Sequence, residues 1–328
     1  YVLSQLTGSY RETPDFLDAN HGIDTPADAD AYLARLSAYA ANLAGETQRL
    51  RHDADIGVTA PAFLLDKTLG QMATVQRQPI DQWVPVASLA RRTASMPGDY
   101  GAKAAKIVRD QVAPALAAQV AELTRQRASA TMDAGVWKLP DGEAYYAWAL
   151  KAGTTTTMPP EEVHALGLDQ LAALQSQMDG LLKGLGLTKG TVGERMTAMG
   201  KDPRHLFPDD DKGRAQILAY IEGRLADIRT RLPRAFATLV PAKLIVKRVP
   251  LEIEAGMPGA YAGAGSIDGS VPGNYYINLR DTNSWPRYSL PTLTYHEGIP
   301  GHIWQGEYSY KLPLIRSLLP FNAYSEGW

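Results

Sequence analysis

The apolar positions recur mostly at helical spacing. After a turn-rich lead-in over residues 1–26, with Pro14, Gly22 and Pro26, apolar Ala31, Leu33, Leu36, Tyr39, Leu43 and Leu50 line one helical face. Thr25 before Pro26, with acids following, marks a capped start for that helix. Thr59-Ala60-Pro61 opens a second helix running to about Gln76, and Trp83 with Pro85 marks a loop. Residues 102–127, rich in alanine, valine and leucine, predict one long helix. A break over 135–142 leads to a short aromatic helix over 143–152. Pro159, Pro160, Glu161 and Glu162 fit the first turn of a helix that runs to about Lys183. A short helix over 191–199, a loop over 203–211 and a long helix over 213–240, interrupted at Pro233, complete the helical part.

The pattern changes at Ala242. Leu244-Ile245-Val246 and Leu251-Glu252-Ile253 read as short strands, and residues 274–279 alternate as a strand does. Between them runs the glycine-rich stretch 259–266. Trp285-Pro286 is a turn, and Ser289 can cap a helix from about Leu290 on which Leu293, Tyr295 and Ile299 bury one face. Pro313 and Pro320 bracket a further helical segment, and a last helix from Tyr324 carries Glu326. The expected fold is mainly α with a small β portion. Residues 1–241 form its helical region, and 242–328 hold the strands and site helices, all within one continuous domain.

Composition bounds the chemistry. The 328 residues are 45% hydrophobic and 21% charged, ordinary for a globular protein with ample core. A net charge of −2 without a basic run points away from nucleic acid. With no cysteine, disulfides and thiolate metal sites are excluded, and any zinc site must use histidine and carboxylate. No apolar run reaches transmembrane length, and Tyr1 does not open a signal peptide.

Residues 294–302 concentrate candidate chemistry: Thr-Tyr-His296-Glu297-Gly-Ile-Pro300-Gly301-His302. Imidazole nitrogens suit zinc, and an adjacent carboxylate can take a proton from zinc-bound water. In the zincin motif H-E-x-x-H, a spacing of four puts both rings on one helix face. Here the spacing is six, a rotation of about 600°, so a straight helix would send the second ring roughly 240° away from the first. Pro300-Gly301 offers a place for the helix to kink or bulge and return His302 to the face of His296. Glu326 can complete a two-histidine, one-glutamate ligand set with an open position.

The remaining candidates have bland readings beside the functional ones. Tyr145, Tyr146 and Trp148 could stack on a ligand, but a packing role is expected. His52 reads as a surface or capping residue and His164 as a partly buried helix-face histidine. Asp209-Asp210-Asp211 could hold a cation but reads more simply as a solvated helix start. Tyr261, Gly265, Ser266, Tyr276 and Asn278 are candidates for holding a peptide by strand addition, and a tight hairpin without substrate fits the same residues.

His-Glu-Gly-Ile-Pro-Gly-His followed by Glu-Gly-Trp at 326–328 resembles the bacterial domain of unknown function 885 family. Further stretches are similar to that family: 30–36, 61–65, Tyr145-Tyr146, 154–157 and 160–168. The resemblance implies a zincin-like zinc peptidase fold, with His296, His302 and Glu326 as ligands and Glu297 as the base. It also implies a periplasmic, envelope-associated or secreted setting. Family members extend beyond Glu-Gly-Trp, so the chain is expected to be part of a longer protein, with the oxyanion donor beyond Trp328. The expected function is zinc-dependent peptide hydrolysis. A metallohydrolase for other amides or esters, and an inactive helical binding module, are the alternatives.

Overall fold

A computed structural model describes residues 1–318 and 321–328. The described residues are mainly helical, with one small three-stranded sheet. They divide into two compact units, Tyr1–Gly142 with Val249–Pro258, and Glu143–Arg248 with Gly259–Trp328.

The first unit is built from α1 (Ser9–Ala19), α2 (Pro26–Asp55), α3 (Ala62–Arg77), α4 (Val84–Arg92), α5 (Tyr100–Ile107) and α6 (Ala113–Arg127). The start of α2 follows its sequence signal. The Thr25 side chain accepts from the Asp28 backbone N–H while Asp28 reaches back to Thr25, a reciprocal capping box. Tyr32, Leu36, Tyr39 and Leu43 of α2 are buried in a core with Leu17, Leu65, Met72, Leu89, Leu116 and Leu123.

Four expectations for this unit change. The lead-in contains a helix, α1, despite Pro14 inside it, because Tyr10 and Leu17 anchor one face in the core. Trp83 and Pro85 do not end in a loop, since Pro85 stands at the start of α4, where a missing N–H costs nothing. The single helix expected over 102–127 is interrupted by a π-turn at Val108–Val112. Pro114 follows it and cannot donate to the carbonyl four residues back, which a local widening accommodates. Residues 251–253 join this unit as turn rather than strand, running into a 3-10 turn at Glu254–Gly256. Gln71 Nε2 donates to the Ile253 carbonyl at 3.1 Å, so these backbone groups find side-chain partners instead of a ladder.

The second unit adds α7 (Gly142–Thr154), α8 (Pro160–Gly184), α9 (Val192–Gly200) and α10 (Asp211–Arg231). Strands β1 (Leu244–Arg248), β2 (Ala260–Gly263) and β3 (Gly273–Ile277) follow, then α11 (Leu290–Glu297), α12 (His302–Ser309), α13 (Ile315–Leu318) and α14 (Asn322–Glu326). Helix α10 stops at Arg231 and Pro233 falls in a 3-10 turn, so the helix expected to reach 240 is shorter. The sheet order is β1-β3-β2, with β1 parallel and β2 antiparallel to β3. All five residues of β3 are buried, so its alternating sequence is covered on both faces. Ile217, Ile221 and Leu225 of α10 pack with Tyr275, Ile277, Leu290, Ile299 and Ile303. Tyr145, Tyr146 and Trp148 of α7, expected to pack, are exposed, and so is His164 on α8. The pattern of α8 calls for a covered face, yet Leu166, Leu171, Leu174 and Leu181 are open to solvent. Pro320, expected to bracket the segment before the last helix, lies outside the described residues.

Candidate metal centre

Helix α11 ends at Glu297 and α12 begins at His302, so the motif is carried by two helices and not by one kinked helix. Gly298 and Gly301 flank the break, with φ/ψ of −99/−99° and −78/−139°. The reversed connection is tied by Gly298 N–H to Thr294 O at 2.9 Å and Trp304 N–H to Gly298 O at 3.3 Å. Glycine at 301 is required by close approach. A Cβ there would stand 1.8 Å from the His296 carbonyl oxygen.

The break brings the last turn of α11 against the first residue of α12. The rings of His296 and His302 lie 4.4 Å apart between centroids, inclined at 66°. Glu326, closing α14, brings Oε2 to 3.6 Å from His296 Nε2 and 3.7 Å from His302 Nε2. One ligand atom from each residue lies within 4.8 Å of the other two, and this is the cluster of three such residues found among the described residues. Zinc bonds of about 2.0–2.1 Å at tetrahedral angles separate ligand atoms by about 3.4 Å, so the two carboxylate–imidazole distances fit a shared ion. Burial pushes the His302 imidazole toward its neutral form, and neighbouring His296 pushes the same way against Glu326. Neutral imidazole is the ligating form.

Glu297 belongs to this site but not to the ligand set. It is 6% exposed, and its Oε2 has no hydrogen-bond partner among the described residues. Burial raises its pKa above the usual carboxylate range; His296 opposes this and Glu326 reinforces it. The hydroxyls of Thr294 and Tyr275 are likewise buried.

Two positioning residues gave no chemical signal in the sequence. The Trp328 indole N–H donates to the Pro300 carbonyl at 2.6 Å, and its ring stacks on Trp304 with planes 6° apart. Gln305 Nε2 donates to the Tyr324 carbonyl at 3.0 Å. Both contacts tie the end of α14 to the α11–α12 junction and so fix Glu326 against the histidines. The adjacency of Trp328 to Glu326 in the Glu-Gly-Trp motif was the available clue.

The candidate peptide-holding residues are distributed differently from the ligands. Tyr261 and Tyr276 stack across β2 and β3 with centroids 4.7 Å apart, and Tyr276 is buried. The Gly265 carbonyl accepts from Tyr310 Oη at 2.9 Å. Ser266 Oγ bonds Asp268 in a turn, and the Asn278 side chain accepts from Arg280 N–H at 3.1 Å. The cavity that reaches His302 and Glu326, about 400 Å³, is instead walled by Ala262 and Ala264 at the β2 edge. Asp210 caps α10 and Asp209 accepts from Arg214 and Thr282, which places the acidic run at a helix start.

Comparison with known proteins adds a similar solved structure and a family. No curated protein matches the chain. The crystal structure named "the putative lipoprotein from Colwellia psychrerythraea" is similar, with a TM-score of 0.92 and 29% identity. The likeness covers 100% of this chain and 58% of that one, so this chain spans little more than half its length. The family match runs over residues 1–328, the whole sequence including the two histidines and Glu-Gly-Trp, and the chain belongs to the family described as "Bacterial protein of unknown function (DUF885)".

Proposed function

We propose that this chain carries the active centre of a zinc-dependent peptidase with a zincin-like arrangement. The observation that carries the reading is the meeting of His296, His302 and Glu326, from three separate helices, beside a buried glutamate with an unpaired oxygen. His296, His302 and Glu326 would hold the zinc ion and leave a position open. When bound, zinc polarises a carbonyl oxygen and lowers the pKa of a water molecule to about 7. Glu297 accepts a proton at Oε2 and passes it to the leaving amine. Its burial keeps bulk water from competing for that oxygen. Strand β2 is an edge of the sheet, and its Ala262 stands in the wall of the cavity that reaches the ligands. A substrate in extended form can add to that edge by backbone hydrogen bonds, with small side chains permitting close approach. Likeness to a lipoprotein supports work at the cell envelope, and no helix among the described residues is long and apolar enough to cross a membrane.

The test combines elemental analysis with turnover of a peptide library by chelator-free protein. About one zinc per chain is expected. Glu297→Gln keeps the metal and loses at least ~10²-fold in turnover, while His302→Ala loses both. Protein that takes up no zinc when it is supplied, or a Glu297→Gln variant with normal turnover, refutes the reading.

A further inference from the structure

The cavity that reaches His302 and Glu326 also contains Arg316, the cation among its lining residues. Resting on the peptidase reading, we infer that Arg316 receives the free C-terminal carboxylate of the substrate, so that the site trims chain ends and does not cut chain interiors.

Arg316 lies on α13 and its side chain is exposed. Its guanidinium has no hydrogen bond or ion pair among the described residues. Several other arginines of this unit are occupied, although Arg234 and Arg280, which do not line this cavity, likewise have no side-chain hydrogen bond or ion pair among the described residues. Arg195, Arg204, Arg214 and Arg231 pair with aspartates, and Arg229 donates to the carbonyls of Pro241 and Ala242. The acid in the lining is Glu326, whose carboxylate is already directed at the two imidazoles. Ser317, next in sequence, lines the same cavity, and its buried hydroxyl is unpartnered among the described residues. The cavity thus offers an unoccupied planar donor fork. A carboxylate matches a guanidinium fork with two parallel hydrogen bonds, which an ammonium cannot reproduce.

Size connects the fork to the chemistry. A compact volume of about 400 Å³ is roughly 7 Å across. Extended chain advances about 3.3–3.6 Å per residue, so the space takes about two residues. A carboxylate held at Arg316 therefore leaves the peptide bond one or two residues away, at the ligand set. Every peptide presents a main-chain carboxylate at that distance from its last bonds, whatever its side chains.

The experiment has a binding arm and a turnover arm. In zinc-free protein, acetyl-Ala-Ala and its C-terminal amide are titrated calorimetrically against the parent and against Arg316→Ala and Arg316→Lys. The acid is expected to bind the parent about 10- to 100-fold more tightly than the amide. Arg316→Ala erases that preference and Arg316→Lys restores part of it. With zinc supplied, Arg316→Ala raises KM for peptide acids by a similar factor, changes kcat little and leaves peptide amides unaffected. Equal binding of acid and amide by the parent, or no binding of the acid, overturns the inference. So does an equal kcat loss on acids and amides, which would make Arg316 an oxyanion donor. An acid preference lost in Arg316→Ala, without cleavage of any peptide, upholds the carboxylate site and removes the peptidase reading. Cleavage of blocked or internal bonds independent of Arg316 does the reverse.

Discussion

Gly301→Ala should separate the two histidines while leaving most of the protein folded. The added Cβ would stand 1.8 Å from the His296 carbonyl oxygen and 2.4 Å from that of Tyr295. Real contacts of this kind stay beyond 3.0 Å, so about 1.2 Å of movement is needed. Both obstacles are backbone atoms of the α11 end, which cannot rotate aside as a side chain can. The displacement therefore falls on the junction that holds the His296 and His302 rings 4.4 Å apart. Metal sites tolerate about 0.2 Å in ligand distance, so a shift of this size is several times too large. Zinc affinity should fall at least about 10- to 100-fold, the usual effect of disturbing the shell that orients ligands. The overpacking itself should cost about 1–3 kcal/mol of stability. Gly263→Ala is the control, since a Cβ there meets nothing within 4 Å. Zinc affinity by chelator competition and thermal unfolding by circular dichroism measure the two effects. Parental zinc affinity in a folded Gly301→Ala protein would show that the α11–α12 break does not set the ligand geometry.

Other predictions test the supporting fold. Ile221→Ala, at a site with no exposure between α10 and the sheet, should cost about 2–5 kcal/mol in denaturant unfolding, and a loss below 1 would deny it a core role. Thr25→Ala removes the capping box of α2 and should cost about 1 kcal/mol, whereas an unchanged transition would make that cap incidental. Glu122 accepts from Arg125 and Gln126, and chiefly the Arg125 hydrogen bond holds its carboxyl below the usual range. A carboxyl with a lowered folded pKa adds stability that is complete above the unfolded value and lost as pH falls through the folded one. The stability advantage of the parent over Glu122→Gln should therefore shrink between about pH 7 and about pH 3, and an advantage independent of pH would contradict the pairing.

Local signals fixed much of the helical framework. Thr25 with Asp28, and Thr191 with Glu194, are complete capping boxes, because the groups that satisfy a helix start lie within four residues of one another. Periodicity located Leu36, Tyr39 and Leu43 in the core, since burial of one helix face imposes its spacing on the sequence. The sequence also named the three residues that meet at the candidate centre. Pattern failed where the deciding partner is distant. Pro14 reads locally as a breaker, yet core contacts of Tyr10 and Leu17 hold α1 together. Residues 251–253 have strand composition, but their backbone is taken up by a turn and by Gln71, 182 positions from Ile253. Parallel pairing of β1 with β3 joins segments separated by β2, which no local pattern encodes.

The divide between sequence and tertiary structure runs through the candidate metal centre itself. Composition required histidine and carboxylate there, because the chain has no cysteine, and spacing required a departure from helical geometry between Glu297 and His302. Whether that departure would be a bend or a full stop was decided by packing. Ile299 is fully buried in the junction, and Gly301 lies against the His296 carbonyl, closer than any side chain allows. Glu326 reaches the histidines because Trp328 stacks on Trp304 and bonds Pro300, 28 residues earlier in the chain. The sequence can specify which donors are present, since donor chemistry is a property of single residues. Their convergence depends on backbone direction and ring stacking across three helices, which exist only once the chain has folded.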